Sequence, residues 1–117
     1  MKILALFLAA VVGTAHHSTA PFDMTKSTTI HGVVTEFRWM NPHSYIYLQS
    51  EGHKWTLEAE ALNLLRRNGW TKDSLKPGDE ISCMGARARD AAVYAMKCFT
   101  VAFPDGRKLI ATPVGVK

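Results

Sequence analysis

The sequence predicts an all-β domain with one short helix, closing into a small barrel of five to six strands. Three observations predict it. Short runs of β-branched, aromatic and aliphatic residues alternate with polar ones at the two-residue period of a strand. The period turns helical in a single place, between the third run and the fourth. The part of the chain that reads as folded is long enough for one hydrophobic core and too short for two.

The chain opens on a segment of a different kind. Lys2 precedes an almost unbroken apolar run over residues 3–12, and the small residues Gly13, Thr14 and Ala15 follow. That is the order of a secretory signal peptide. The run falls short of the about 20 apolar residues that a membrane-spanning helix needs, so a retained anchor is the weaker reading. Cleavage after Ala15 puts Gly13 and Ala15 at the two positions where small side chains are required. The competing cut after Ala20 would fall on the bond to Pro21, a tertiary amide. Residues 1–15 are therefore expected to be removed, leaving His16 as the first residue and no transmembrane anchor, with the protein periplasmic or secreted. Residues 16–27 lack periodicity, contain Pro21 and read as an extended arm; residues 28–117 read as a single barrel domain.

Residues 28–39 begin that domain as a strand, with Gly32 expected to bend or bulge it. Asn41, Pro42 and His43 interrupt the pattern, since Pro42 cannot donate to a ladder. Residues 44–49 form a second strand and Glu51 and Gly52 a turn. Residues 54–61 form a third, in which Trp55, Leu57, Ala59 and Ala61 face one side and Thr56, Glu58 and Glu60 the other. Leu62, Leu64 and Leu65 with Arg66 and Arg67 make a short amphipathic helix that Gly69 ends, with Trp70 packing just after it. Lys76, Pro77, Gly78 and Asp79 turn into a fourth strand over residues 80–88. Residues 92–103 make a fifth, and Pro104, Asp105 and Gly106 lead into a last short strand over residues 108–112. Three strands, a helix and two more strands is the order of the OB-fold, with a small sandwich or meander as the alternative.

Cys83 and Cys98 fall on the fourth and fifth strands. In an exported chain a disulfide is the expected state, and two buried free thiols are the alternative. A hairpin with Asp90 and Ala91 as its loop would set the two cysteines directly opposite one another, at a Cα separation of about 5.5 Å that a disulfide can bridge.

His-His-Ser at residues 16–18, then Phe22 and Asp23, then Glu36, Phe37, Arg38 and Trp39, and then Asn41, Pro42 and His43 form a series of landmarks. Trp55 with Glu58, residues 66–70, residues 76–79 and residues 105–109 continue it. With these the chain resembles a family of small exported bacterial proteins known as domain of unknown function 6152. The resemblance covers essentially all of residues 16–117 and implies a compact β-barrel and export, but no activity. Where that pattern has a proline between the third strand and the helix, this chain has Ala61 and Leu62, so the helix start is unmarked.

An amino-terminal histidine offers two metal ligands from one residue, the α-amine and the imidazole Nδ1. One further imidazole would complete three nitrogens in a plane, which suits Cu(II) and is the arrangement called a histidine brace. His43, at a corner stiffened by Pro42, is the candidate third nitrogen, and His17 is its alternative or a cover for the site. Asp23, Glu58 and Glu60 are candidate acceptors to orient an imidazole. Metal must displace protons from imidazole and amine, so affinity should fall on acidification. The same residues also read more plainly, as a solvated terminus and a turn histidine bonded to backbone. His31 and His53 read as surface residues. Met24, Met40, Met84 and Met96 read mainly as core packing, although thioethers favour Cu(I).

A second reading uses the face over strands two and three, where Tyr45, Tyr47 and Trp55 with Arg38 could bind an oligosaccharide, a peptide or an oligonucleotide. Charge argues against the last. Without Lys2 the chain carries 13 Lys and Arg against 10 Asp and Glu, a dispersed excess of three. The sequence has no Gly-x-Ser-x-Gly elbow, no His-Glu-x-x-His helix and no phosphate-cradling glycine loop. A copper carrier or binding module is therefore expected in preference to an enzyme, its partners a metal ion and another exported protein.

Overall fold

A computed structural model describes residues 21–114. Within them the chain forms β1 (Thr28–Arg38), β2 (Tyr45–Ser50), β3 (His53–Glu58), α1 (Leu62–Arg67), β4 (Glu80–Arg87), β5 (Ala95–Ala102) and β6 (Lys108–Ile110). The order is the one the sequence predicts. The strands follow one another as β3-β2-β1-β4-β5-β6, and a further pairing of β3 with β5 closes the first five into a barrel. That closing pair is parallel and every other pair antiparallel.

One long strand makes closure feasible. The first half of β1 pairs with β4 and its second half with β2, the two registers meeting at Val33. A bulge between Val34 and Glu36 bends the strand there. The sequence points instead to Gly32 as the bulge, but Gly32 sits in regular register opposite Ile81. A side chain on Gly32 would collide with the backbone carbonyl of Gln49, so glycine serves close approach of β1 to β2. The interior is filled by Val34, Ile46, Leu48, Trp55, Leu57, Met96 and Val101.

Helix α1 has six residues, too few to persist alone. Leu65 and Trp70 anchor it in the core, and the Trp70 indole donates to the Ile110 carbonyl at 2.8 Å. Gly69 ends it with φ at +85°, a left-handed conformation suited to glycine. Its start is held from a distance. Ala61 has no capping side chain, and the Leu62 amide donates to Asn41 Oδ1 at 3.0 Å.

Cys83 and Cys98 form a disulfide, with Cα atoms 6.1 Å apart. The expected direct opposition does not hold. Cys83 lies opposite Val101 and Cys98 opposite Gly85, because the register slips between Met84 and Gly85 and leaves Phe99 as the extra residue on β5. Its carbonyl turns to accept from the amides of Ala111 and Thr112, at 2.8 and 3.2 Å. The hairpin loop is also longer than Asp90 and Ala91, since the last pairs are Arg87 with Met96 and, by one backbone bond, Ala88 with Ala95.

The disulfide should contribute measurably to stability. Cross-linking a loop of 15 residues restricts the unfolded chain by about 3 kcal/mol. Replacing Cys83 and Cys98 together by serine should lower unfolding stability by about that amount in urea titrations. An unchanged midpoint would show that the bond constrains nothing.

Candidate functional site

Strand pairing arranges one residue from each barrel strand in a row around the outside: Ala86 of β4, Lys97 of β5, Glu58 of β3, Tyr45 of β2 and Arg38 of β1. Lys97 is the unexpected member. It is 2 % exposed, although its strand neighbours Met96 and Cys98 take the inward positions. Phe22, from the N-terminal arm, packs with Ala86, Phe99 and Ala95, the residues that flank Lys97 on the outer face. The Lys97 ammonium meets Glu58 Oε2 at 3.2 Å and Glu60 Oε1 at 3.7 Å. An unpaired charge buried to this degree would cost several kcal/mol, and the two carboxylates offset that cost. Sequence reading passes over this lysine. Its one trace is a cation set inside the apolar run Met96 to Val101.

Glu58 and Glu60, marked in the sequence as acceptors for imidazole, therefore face an ammonium. Burial first, and then the Glu58 and Tyr47 charges, push the phenol of Tyr45 above its ordinary range. Asp23 stands apart and half-buried, bonded to the hydroxyl and amide of Thr25, and these two bonds hold its carboxyl below the usual range.

His43 lies beside this row, two residues before Tyr45 on the approach to β2. Backbone bonds from Ala59 to Ser44 at 2.8 Å and from Ser44 to Glu60 at 3.2 Å carry the β2–β3 ladder past the strand ends. They bring His43 Nδ1 to 3.3 Å from the Ala59 carbonyl. A carbonyl only accepts, so this bond assigns the proton to Nδ1 and the lone pair to Nε2. The corner itself is clamped by Ser44, whose Oγ accepts from the Met40 amide at 3.2 Å and donates to the Met40 carbonyl at 3.1 Å. Asn41, Pro42 and His43 thus cap a helix, turn the chain and present one imidazole nitrogen with no partner among the described residues.

His16 and His17 lie outside the described residues. Among the described residues, no three His, Cys, Asp or Glu side chains are gathered as a metal site. Two other readings change. Trp55 is not on the face with the tyrosines: it is 6 % exposed inside the barrel, in edge contact with Tyr94 and under the Arg87 guanidinium at 4.8 Å. Tyr45 and Tyr47 do face outward, but Tyr47 already has Arg38 and Lys54 over its ring at 5.0 and 5.2 Å, which leaves little ring face for stacking. Of the four methionines read mainly as packing, only Met96 is buried; Met24, Met40 and Met84 are exposed. His31 and His53 are both exposed, His31 Nδ1 lying 2.7 Å from Ser82 Oγ and His53 stacking on Tyr94.

Residues 5–97 match the model of a family of unknown function, DUF6152. No curated protein matches the chain.

Two outcomes follow from the charge geometry. Glu58→Gln weakens the bond to a buried ammonium and should lower stability by about 1–3 kcal/mol. Adding Lys97→Met should recover most of that loss, because an apolar chain in the same space needs no counter-charge. Urea titration of the three proteins decides it, and a double variant no better than the single one would refute the pairing. For Asp23 the folded value is depressed, so any stability it contributes is complete above the unfolded value of about 3.9 and is lost as pH falls through the folded one. In NMR titrations its carboxyl should have a midpoint below that of an ordinary aspartate, and Thr25→Val should move the midpoint upward.

Proposed function

The chain belongs to the family of unknown function DUF6152, and we propose that it is an exported copper-binding module. Cleavage after Ala15 would free the amine of His16. That amine, the His16 imidazole and His43 Nε2 then hold one Cu(II), with His17 as the alternative third ligand or a cover. The module acts as a carrier or receiver of copper in the periplasm or outside the cell, and its partner is another exported protein.

The observation that carries this reading is the orientation of His43. Its Nδ1 is engaged by the Ala59 carbonyl at 3.3 Å, so the nitrogen left with a lone pair is Nε2, on a corner that three further hydrogen bonds stiffen. A metal-binding imidazole is ordinarily held in this way, through its other nitrogen. Reach is sufficient. Phe22 is seated on β4 and β5, against Ala86, Ala95 and Phe99, and the six residues back to His16 span up to about 20 Å when extended. The strands from β4 around to β2 are three spacings apart, about 15 Å. Glu60, further from Lys97 than Glu58, keeps acceptor capacity for an imidazole N–H on the incoming arm. The disulfide suits an oxidising compartment. Copper must displace protons from imidazole and amine, so its affinity falls on acidification.

Protein beginning at His16 should bind one Cu(II) with a nitrogen-rich tetragonal EPR spectrum. One extra residue before His16 should abolish that spectrum and lower affinity; an unchanged spectrum would exclude the terminal amine. His43→Ala should weaken binding while the circular dichroism of the fold persists. Equal affinity would move the third nitrogen elsewhere.

A further inference from the structure

The corner that presents His43 also presents a sulfur. Met40 is 42 % exposed, against complete burial of Met96 in the core. A thioether gains little from water, and as a soft donor it selects monovalent copper over harder ions. Around it several polar groups of the corner are engaged. The Met40 amide and carbonyl are both bonded to Ser44 Oγ, Asn41 Oδ1 takes the Leu62 amide, and His43 Nδ1 meets the Ala59 carbonyl. Met40 Sδ and His43 Nε2 have no hydrogen-bond partner among the described residues, and they stem from a loop whose two ends Ser44 ties together. Of the other exposed methionines, Met84 has a histidine near in register, His31, diagonally across the β1–β4 pair, but on an open strand face and not on a clamped corner. Met24 sits between Asp23 and Thr25, and Met84 is paired on both sides with threonines, Thr29 and Thr100.

We propose that this corner binds one Cu(I) through Met40 Sδ and His43 Nε2. The site shares His43 with the Cu(II) reading but needs no free amine, so it exists whether or not His16 is the first residue. A linear or bent pair of one imidazole and one thioether suits a filled-shell monovalent ion, whereas Cu(II) prefers the nitrogen set. The corner would then serve the reduced ion and the arm would add what the oxidised ion requires.

The test uses Ag(I), a redox-inert stand-in, and Cu(I) under anaerobic competition with a chromophoric chelator. Both are applied to protein beginning at His16 and to the same protein with one added residue before it. One equivalent of Ag(I) should shift the NMR signals of the Met40 methyl and the His43 ring in both proteins. Met40→Leu should weaken Cu(I) binding about tenfold or more and leave Cu(II) affinity within about twofold, in line with loss of a single soft ligand. Met24→Leu and Met84→Leu should change neither. Shifts centred on Met24 or Met84, Cu(I) affinity indifferent to Met40→Leu, or Ag(I) shifts confined to the protein with a free His16 amine would each overturn the proposal. Failure of the Cu(II) reading looks different: Cu(II) binding would then ignore the added residue while the Ag(I) shifts remained.

Discussion

The rest of the structure depends on the seam where β3 meets β5. Five strands become a barrel only because three residues of β3 pair in parallel with three of β5: Thr56 with Ala95, Leu57 with Met96, and Glu58 with Lys97. Parallel pairs are the less stable kind, and this one is short. Side chains on both faces reinforce it. Inside, Leu57 and Met96 are fully buried; outside, Glu58 and the buried Lys97 form an ion pair, with Phe22 packed on the flanking residues Ala95 and Phe99. The ion pair alone is weak evidence of net stabilisation, since desolvating both charges opposes their attraction. Its effect is on register. A slip by one residue would leave Lys97 buried without a carboxylate, and a slip by two would carry Glu58 opposite Ala95 or Phe99.

From that seam the remaining features follow in sequence. Just beyond Glu58, Ala59 bonds to Ser44 and Glu60 to Ala111, so the chain leaving β3 is joined to the entry of β2 on one side and to the end of β6 on the other. The first junction positions the Asn41 to His43 corner, and Asn41 in turn caps α1. The second places the Ile110 carbonyl where the Trp70 indole reaches it, which fixes the far end of the helix. A helix too short to stand alone is therefore held at both termini by contacts whose geometry originates at the barrel seam.

Much of this was legible in the sequence, and what was not has a common cause. Strand and helix periods are local, so element order, the Gly69 terminus and the inward set Trp55, Leu57 and Ala59 could all be read directly. Bulges are not local. Thr35 and Phe99 look like ordinary strand residues, and only pairing partners far along the chain reveal that each is surplus; hence the misplaced bulge at Gly32 and the missed offset of Cys83 against Cys98. Lys97 was illegible for the same reason. A lysine is expected at a surface, and its burial depends on Phe22 and Glu58, which lie 75 and 39 residues away. The arm that carries Phe22 has no periodicity to signal that it packs at all. Conversely, Asn41, Pro42 and His43 stood out at once as a break in alternation, although their roles in capping and in orienting an imidazole appear only with the fold.

The corner combines stiffness with exposure, and this bears on what it is suited to do. Binding sites on mobile loops lose affinity to the ordering that binding demands. Here the ordering is already complete: the backbone of Met40, the side chain of Asn41 and one nitrogen of His43 are all engaged before any ligand arrives. The outer tyrosine face is organised differently, because the cations of Arg38 and Lys54 already lie over Tyr47. A stacking ligand would have to displace them and would gain only the difference between two ring contacts. A metal at the corner would displace no hydrogen bond formed among the described residues. On the proposed reading it would take a lone pair that the Ala59 carbonyl orients and, in the reduced state, a thioether with no hydrogen-bond partner among the described residues. On these grounds the corner, in preference to the ligand face usual for the fold, is where binding costs least and where the arm has the length to contribute.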